Sequence, residues 1–174
     1  MLLLQNYHVK PFLESSNRFN IVVMTEKIIP NALFFAQIEE SLQHGKSVRF
    51  KVNGVSMSPI IRNGEDSVTV VPISEWGMLE LYNIILFKYN GVHILHRVIA
   101  ISDNSTILTR GDGSYYAEEQ CTLKEVVGVV SAIHRYGGKT INPNSSGYRL
   151  YARVWHGLPA FMRRFFLKVL MRLE

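Results

Sequence analysis

Cysteine is nearly missing from this 174-residue chain, with Cys121 its only thiol. That excludes an internal disulfide framework and a cysteine-rich zinc site, and it suits a reducing compartment. Long apolar runs are missing too. No stretch approaches the ~18–20 consecutive apolar residues of a spanning helix. The opening Met1-Leu2-Leu3-Leu4 is too short for the apolar region of a signal peptide and has no basic lead-in. The expectation is therefore a cytoplasmic protein with neither a transmembrane helix nor a signal peptide. Zinc-type His/Cys spacing, a phosphate-binding glycine loop and a dinucleotide fingerprint are also lacking, so no metal and no cofactor is expected. There is no internal repeat and no low-complexity tract.

Net charge is absent from most of the chain. Residues 1–148 carry 13 basic and 13 acidic side chains, and the whole excess of +5 falls in residues 149–174. A basic isoelectric point of this origin gives no reason to expect a nucleic-acid partner. With 47% hydrophobic and 19% charged residues, the composition is that of a folded domain rather than a disordered chain.

The patterning divides the chain into four segments. Residues 1–23, with Glu14-Ser15-Ser16-Asn17, read as a loosely ordered extension, and Met24 is an alternative start. Residues 24–45 form an N-terminal helical segment. Its helix opens at Pro30-Asn31, places Phe34, Ile38 and Leu42 on one face and stops at Gly45. Residues 46–142 change period. Val48, Phe50 and Val52 alternate with Arg49 and Lys51, and β-type runs follow at 67–71, 84–89, 93–101, 106–109 and 126–133. Asn90-Gly91 joins two of them in a tight hairpin, and Asp103-Asn104 and Gly137-Gly138 supply further turns. A mainly antiparallel β domain is expected. Residues 143–174 are a basic amphipathic helical tail interrupted at Gly157-Leu158-Pro159.

Three short segments carry possible chemistry. In Gly54-Val55-Ser56-Met57-Ser58-Pro59, a serine sits in a turn after a strand. There its hydroxyl is accessible and neighbouring N–H groups can face a developing oxyanion. On local sequence alone Ser58 is as good a nucleophile as Ser56, and a turn decorated with serines is the plainer reading. In Leu95-His96-Arg97-Val98, alternation sends His96 to the side of Ile94 and Val98, and His93 to the side of Leu95 and Arg97. An imidazole there is either a packed core histidine or a general base suited to neutral pH. In Arg110-Gly111-Asp112-Gly113, Asp112 is either a turn residue or the partner of a histidine base.

In order and spacing these three boxes resemble those of the serine peptidases that include type I signal peptidases and LexA-like self-cleaving repressors, over about residues 46–133. The resemblance implies a LexA/signal-peptidase-like antiparallel β domain, here with an N-terminal helix and C-terminal amphipathic helices. It makes Ser56, directly before the methionine, the nucleophile. Histidine at position 96, where most bacterial members have lysine, resembles the endoplasmic-reticulum and archaeal enzymes and implies a Ser–His dyad. Asp112 joins Ser56 and His96 as the third catalytic candidate. In the histidine-using enzymes the orienting acid lies about six residues further on, where this chain has Tyr116-Ala117-Glu118-Glu119 and no aspartate, so the third position stays open between Asp112, Glu118 and neither. Gly54 stands where signal peptidases carry a hydroxyl residue, which leaves the oxyanion to backbone N–H groups such as that of Ser56. Tyr82-Asn83 replaces the usual Gly-Asp, while Asn63-Gly64-Glu65-Asp66 keeps the expected Gly-plus-acid turn.

The implied activity is endoproteolysis of an extended peptide or protein, with leader removal as a role. The alternatives are a LexA-like regulator that cleaves only itself and an inactive peptide-binding module of the same fold. Only about 45 residues precede the β domain, with one helix and no reader helix, which disfavours the regulator. In the tail, Leu158, Phe161, Met162, Phe165, Phe166, Val169 and Leu173 share one face, opposed by Arg163, Arg164, Lys168 and Arg172. Residues 158–173 therefore either meet a membrane surface as a peripheral contact or cover an open face of the β domain.

Overall fold

The computed structural model describes residues 31–102, 105–114 and 116–170. The extension expected over 1–23, the Asp103-Asn104 turn and the tail residues Arg172 and Leu173 lie outside them. The architecture is mainly β, an eight-stranded antiparallel sheet with a few helices. Helix α1 (Asn31–Gln43) leads into β1 (Val48–Lys51) and β2 (Ser67–Val71), followed by the short α2 (Ile73–Trp76). Then come β3 (Ile84–Tyr89), β4 (Val92–Ile101), β5 (Thr106–Arg110), β6 (Glu119–Thr122), β7 (Val126–His134) and β8 (Thr140–Ile141). Helices α3 (Ser146–Gly157) and α4 (Ala160–Leu170) close the described chain. Strand order is β1-β2-β7-β3-β4-β5-β6, with β8 on β7.

The central strand β3 explains why two cores form. Ile84 and Leu86 face one cluster and Ile85 and Phe87 the other, so a continuous apolar run is buried on both sides of the sheet. On the first face α1 packs Phe34, Ile38 and Leu42 against Phe50, Val68, Val130 and Ile133. Met57 and Ile61, either side of the serine turn's end, enter the same cluster. The second face holds Val98, Ile107, Cys121, Val126 and Val129. His93 belongs to the first side, as alternation requires. It stacks on Phe35 at 4.2 Å between centroids, and its Nε2 lies 2.6 Å from Glu39 Oε1. Glu39 Oε2 accepts from Lys88 Nζ at 2.7 Å, so one carboxylate clips α1 across the β3–β4 hairpin.

Two strands have no forecast in the sequence. In β6, Glu119-Gln120-Cys121-Thr122, only Cys121 is buried, because the strand is an edge. Strand β8 is two residues long, and Ile141 is its one buried anchor. No helix among the described residues is long and apolar enough to cross a membrane.

Candidate active site

Strand β1 delivers the chain into the turn that carries Ser56. Gly54 sits at φ 127°, a region open to glycine and costly for other residues, and its N–H donates to Asn63 Oδ1 at 2.8 Å. The Asn63–Asp66 turn is itself fixed by the Asp66 carboxylate. That group accepts from Arg62 N at 2.8 Å and from Arg135 Nη1 at 2.6 Å. Met57, Ile60 and Ile61 are buried beneath the turn. Ser56 is half-buried, whereas Ser58 is 3% exposed. The structure thus separates two serines that the local sequence leaves equal.

The loop carrying Asp112 packs directly on this turn. Gly113 N–H donates to the Ser56 carbonyl oxygen at 2.8 Å. A Cβ on Gly111 would lie 2.2 Å from that same oxygen and 2.9 Å from His96 Nε2; a Cβ on Gly113 would lie 2.3 Å from the Val55 carbonyl oxygen. Only glycine allows this approach. The Gly111 site therefore has the Ser56 backbone on one side and the imidazole Nε2 on the other. Among the described residues no hydrogen bond joins Ser56 Oγ to the ring, whose recorded partner is Glu119.

His96 is buried on β4, opposite Ile85 of β3. Its Nδ1 lies 2.7 Å from Glu119 Oε2. A carboxylate accepts, so Nδ1 donates to it, and in the neutral ring Nε2 has its lone pair on the side of the Ser56 turn. The sheet register accounts for the pairing. Val98 is opposite Thr109 and Thr109 is opposite Glu119. His96, two residues before Val98, thus shares a face with Glu119.

Asp112, expected beside His96, is engaged elsewhere. Its carboxylate accepts from Arg97 Nε at 2.8 Å and Nη2 at 2.6 Å, both side chains being fully buried, and from His156 Nε2 at 2.8 Å. Its backbone carbonyl accepts from Trp155 Nε1 at 2.8 Å. The reason is alternation: Arg97 leaves β4 on the side opposite His96, and Asp112 serves that side. Burial alone would raise the Asp112 pKa; the Arg97 guanidinium and the His156 hydrogen bond outweigh it and hold the group down at about 2. His156 is pushed below its ordinary value, chiefly by burial, so it stands neutral with Nε2 donating. Glu118, the other candidate, pairs with Arg110. Glu119, one residue further, is the acid on the histidine.

The departure at Tyr82-Asn83 has a structural role. Tyr82 adopts φ 70° and its carbonyl accepts from Arg97 Nη1 at 2.9 Å. Asn83 is buried, accepting from Glu80 N and donating to Asn144 Oδ1. Among the described residues no group of His, Cys, Asp and Glu is arranged to hold a metal.

In the tail, Phe161, Phe165 and Phe166 do not cover the sheet. They are exposed, whereas Arg163, expected on the outer basic face, is buried, as is Leu167. No protein-family model matches the chain, and no curated protein matches it.

Proposed function

We propose that this chain is a serine endopeptidase of the signal-peptidase/LexA-like kind that hydrolyses extended peptides with Ser56, His96 and Glu119. The observation that carries the reading is the polarity of His96. One ring nitrogen is held by Glu119, and the other faces the glycine-floored contact with the Ser56 turn.

Ser56 Oγ attacks the scissile carbonyl carbon while its proton passes to His96 Nε2. Glu119 holds the Nδ1–H and stabilises the imidazolium that forms. Among the described residues the Ser56 and Met57 N–H groups make no backbone hydrogen bond within the turn, which leaves them free to stabilise the oxyanion. Collapse of the tetrahedral species breaks the C–N bond, and the Nε2 proton goes to the leaving amine. A water then gives its proton to Nε2 and attacks the Ser56 ester, releasing the acid and restoring the hydroxyl. Among the described residues strand β1 is the end strand of the sheet and runs into the serine turn, a position that suits an extended substrate added as a further strand. Removal of leader peptides at the cytoplasmic face of a membrane fits these features.

Incubation with candidate leader peptides, wild type beside Ser56→Ala, His96→Ala and Glu119→Gln, tests the reading in trans. Intact-mass measurement of the same proteins tests self-cleavage. Hydrolysis that survives Ser56→Ala unchanged removes the proposal.

A further inference from the structure

Helix α4 is seated the wrong way round for a covering helix. Arg163 and Leu167 are its buried side chains, at 4% and 2% exposure. About half a turn away, Phe161, Phe165 and Val169 form an i, i+4, i+8 stripe pointing outward, exposed by 71%, 63% and 43%. On α3, Ala152 and Trp155 are buried while Leu150 and Val154 stand out, at 62% and 57% exposure. Both helices thus hold large apolar side chains in water, and grouped exposure of this kind marks an interaction surface.

The charge on these helices is of one sign, and the acidic side chain recorded against them, Glu80, is paired with Arg149 of α3. Arg153, Arg164 and Lys168 are exposed beside them, and residues 146–170 contain no Asp or Glu. Arg164 and Lys168 follow Phe161 and Phe165 by three positions, so cations border the apolar stripe along its length.

We propose that α3 and α4 form a docking surface that lies in the interface of anionic lipid bilayers. Phenylalanine and aliphatic side chains enter the headgroup boundary while the bordering cations meet lipid phosphates. A second copy of the chain is a poorer occupant, because a symmetric contact would oppose the same basic side chains. Neither helix can span a bilayer, so the contact is superficial. The surface also has a mechanical link to the serine turn. Trp155 and His156 of α3 bond Asp112, and the glycines on either side of Asp112 touch the Ser56 backbone. A docked α3 would hold that loop close to the membrane. The proposal does not depend on catalysis.

The test uses the full-length Ser56→Ala chain and co-sedimentation with phosphatidylcholine vesicles, with and without a quarter of phosphatidylglycerol, at low and high salt. The expected result is binding to the anionic vesicles that weakens at least tenfold in high salt or without the anionic lipid. Arg164→Gln with Lys168→Gln should lower affinity by about fivefold per charge. Phe161→Ser with Phe165→Ser should abolish it while the melting temperature stays unchanged, since both side chains point into solvent. The proposal is overturned if the Ser56→Ala chain with α3 and α4 unaltered does not sediment with anionic vesicles, or if the serine pair leaves binding intact. It is equally overturned by a dimer in light scattering that the serine pair dissociates, with no vesicle binding.

Discussion

Asp112 and Glu119 are both carboxylates near the candidate site, and the structure gives them separable duties. Asp112→Asn keeps the side-chain shape but removes the charge facing Arg97, which is wholly buried. Removing one partner of a buried ion pair typically costs about 3–5 kcal/mol, because the other charge is left uncompensated. For a domain of this size that lowers the melting temperature by roughly 6–20 °C. Glu119→Gln acts differently. The side chain keeps 15% exposure and can still accept from His96 Nδ1, so the stability cost should stay near ~1 kcal/mol. Turnover should nevertheless fall by about 10²–10⁴-fold, as an uncharged partner supports the imidazolium poorly. Thermal and urea unfolding, read beside single-turnover cleavage, separate the two. The reasoning is refuted if Asp112→Asn melts like wild type yet loses cleavage, and Glu119→Gln cleaves normally. That outcome would return the orienting role to Asp112.

Other consequences follow from single contacts. Gly111→Ala places a methyl group against both the Ser56 carbonyl and His96 Nε2, so cleavage should fall at least about a hundredfold; retained cleavage would show that the contact yields. Ser58→Ala, at a buried position, should leave kcat within a few-fold of wild type, whereas Ser56→Ala removes it. His93→Ala should lower stability by roughly 1–2 kcal/mol through loss of the Phe35 stack and the Glu39 clip, with cleavage per folded molecule unchanged. Stability should also fall with acid in two stages. His156 and His93 have pKa values depressed by burial, so protons bind the unfolded chain first and stability declines below about pH 6.5. Asp112, held at about 2, contributes about 2 kcal/mol above its unfolded value near 4, and this is lost as pH falls towards 2. Urea midpoints across pH 2–8 measure both stages, and a flat profile between pH 7 and 4 contradicts the first.

Much of the fold is legible in the sequence where side-chain burial alternates or runs without interruption. The expected bounds of 67–71 and 84–89 coincide with β2 and β3, and Asn90-Gly91 turns the hairpin between β3 and β4. Strand β6 escapes because an edge strand buries one residue in four, leaving no period to read. The same strand carries Glu119, so the acid on His96 depends on a register that local sequence does not encode. Asp112 misleads for a related reason. Its neighbours Gly111 and Gly113 do touch the Ser56 turn, but its own side chain serves Arg97 across the sheet. In α4 the expected basic face does not hold together, because docking buries Arg163 with Leu167 while Arg164 and Lys168 stay in solvent beside the phenylalanines. Arg163 goes inward and the phenylalanines outward.

The central claim is that Ser56 and His96 act together on peptide bonds. Its most direct test is mass-spectrometric profiling of a diverse peptide library with wild-type chain, Ser56→Ala and His96→Ala in parallel, in the presence of anionic vesicles. The account predicts new termini at a consistent subset of bonds with wild type, and none of them with either variant. Identical cleavage by Ser56→Ala, or no new termini from a folded wild-type chain, would contradict it.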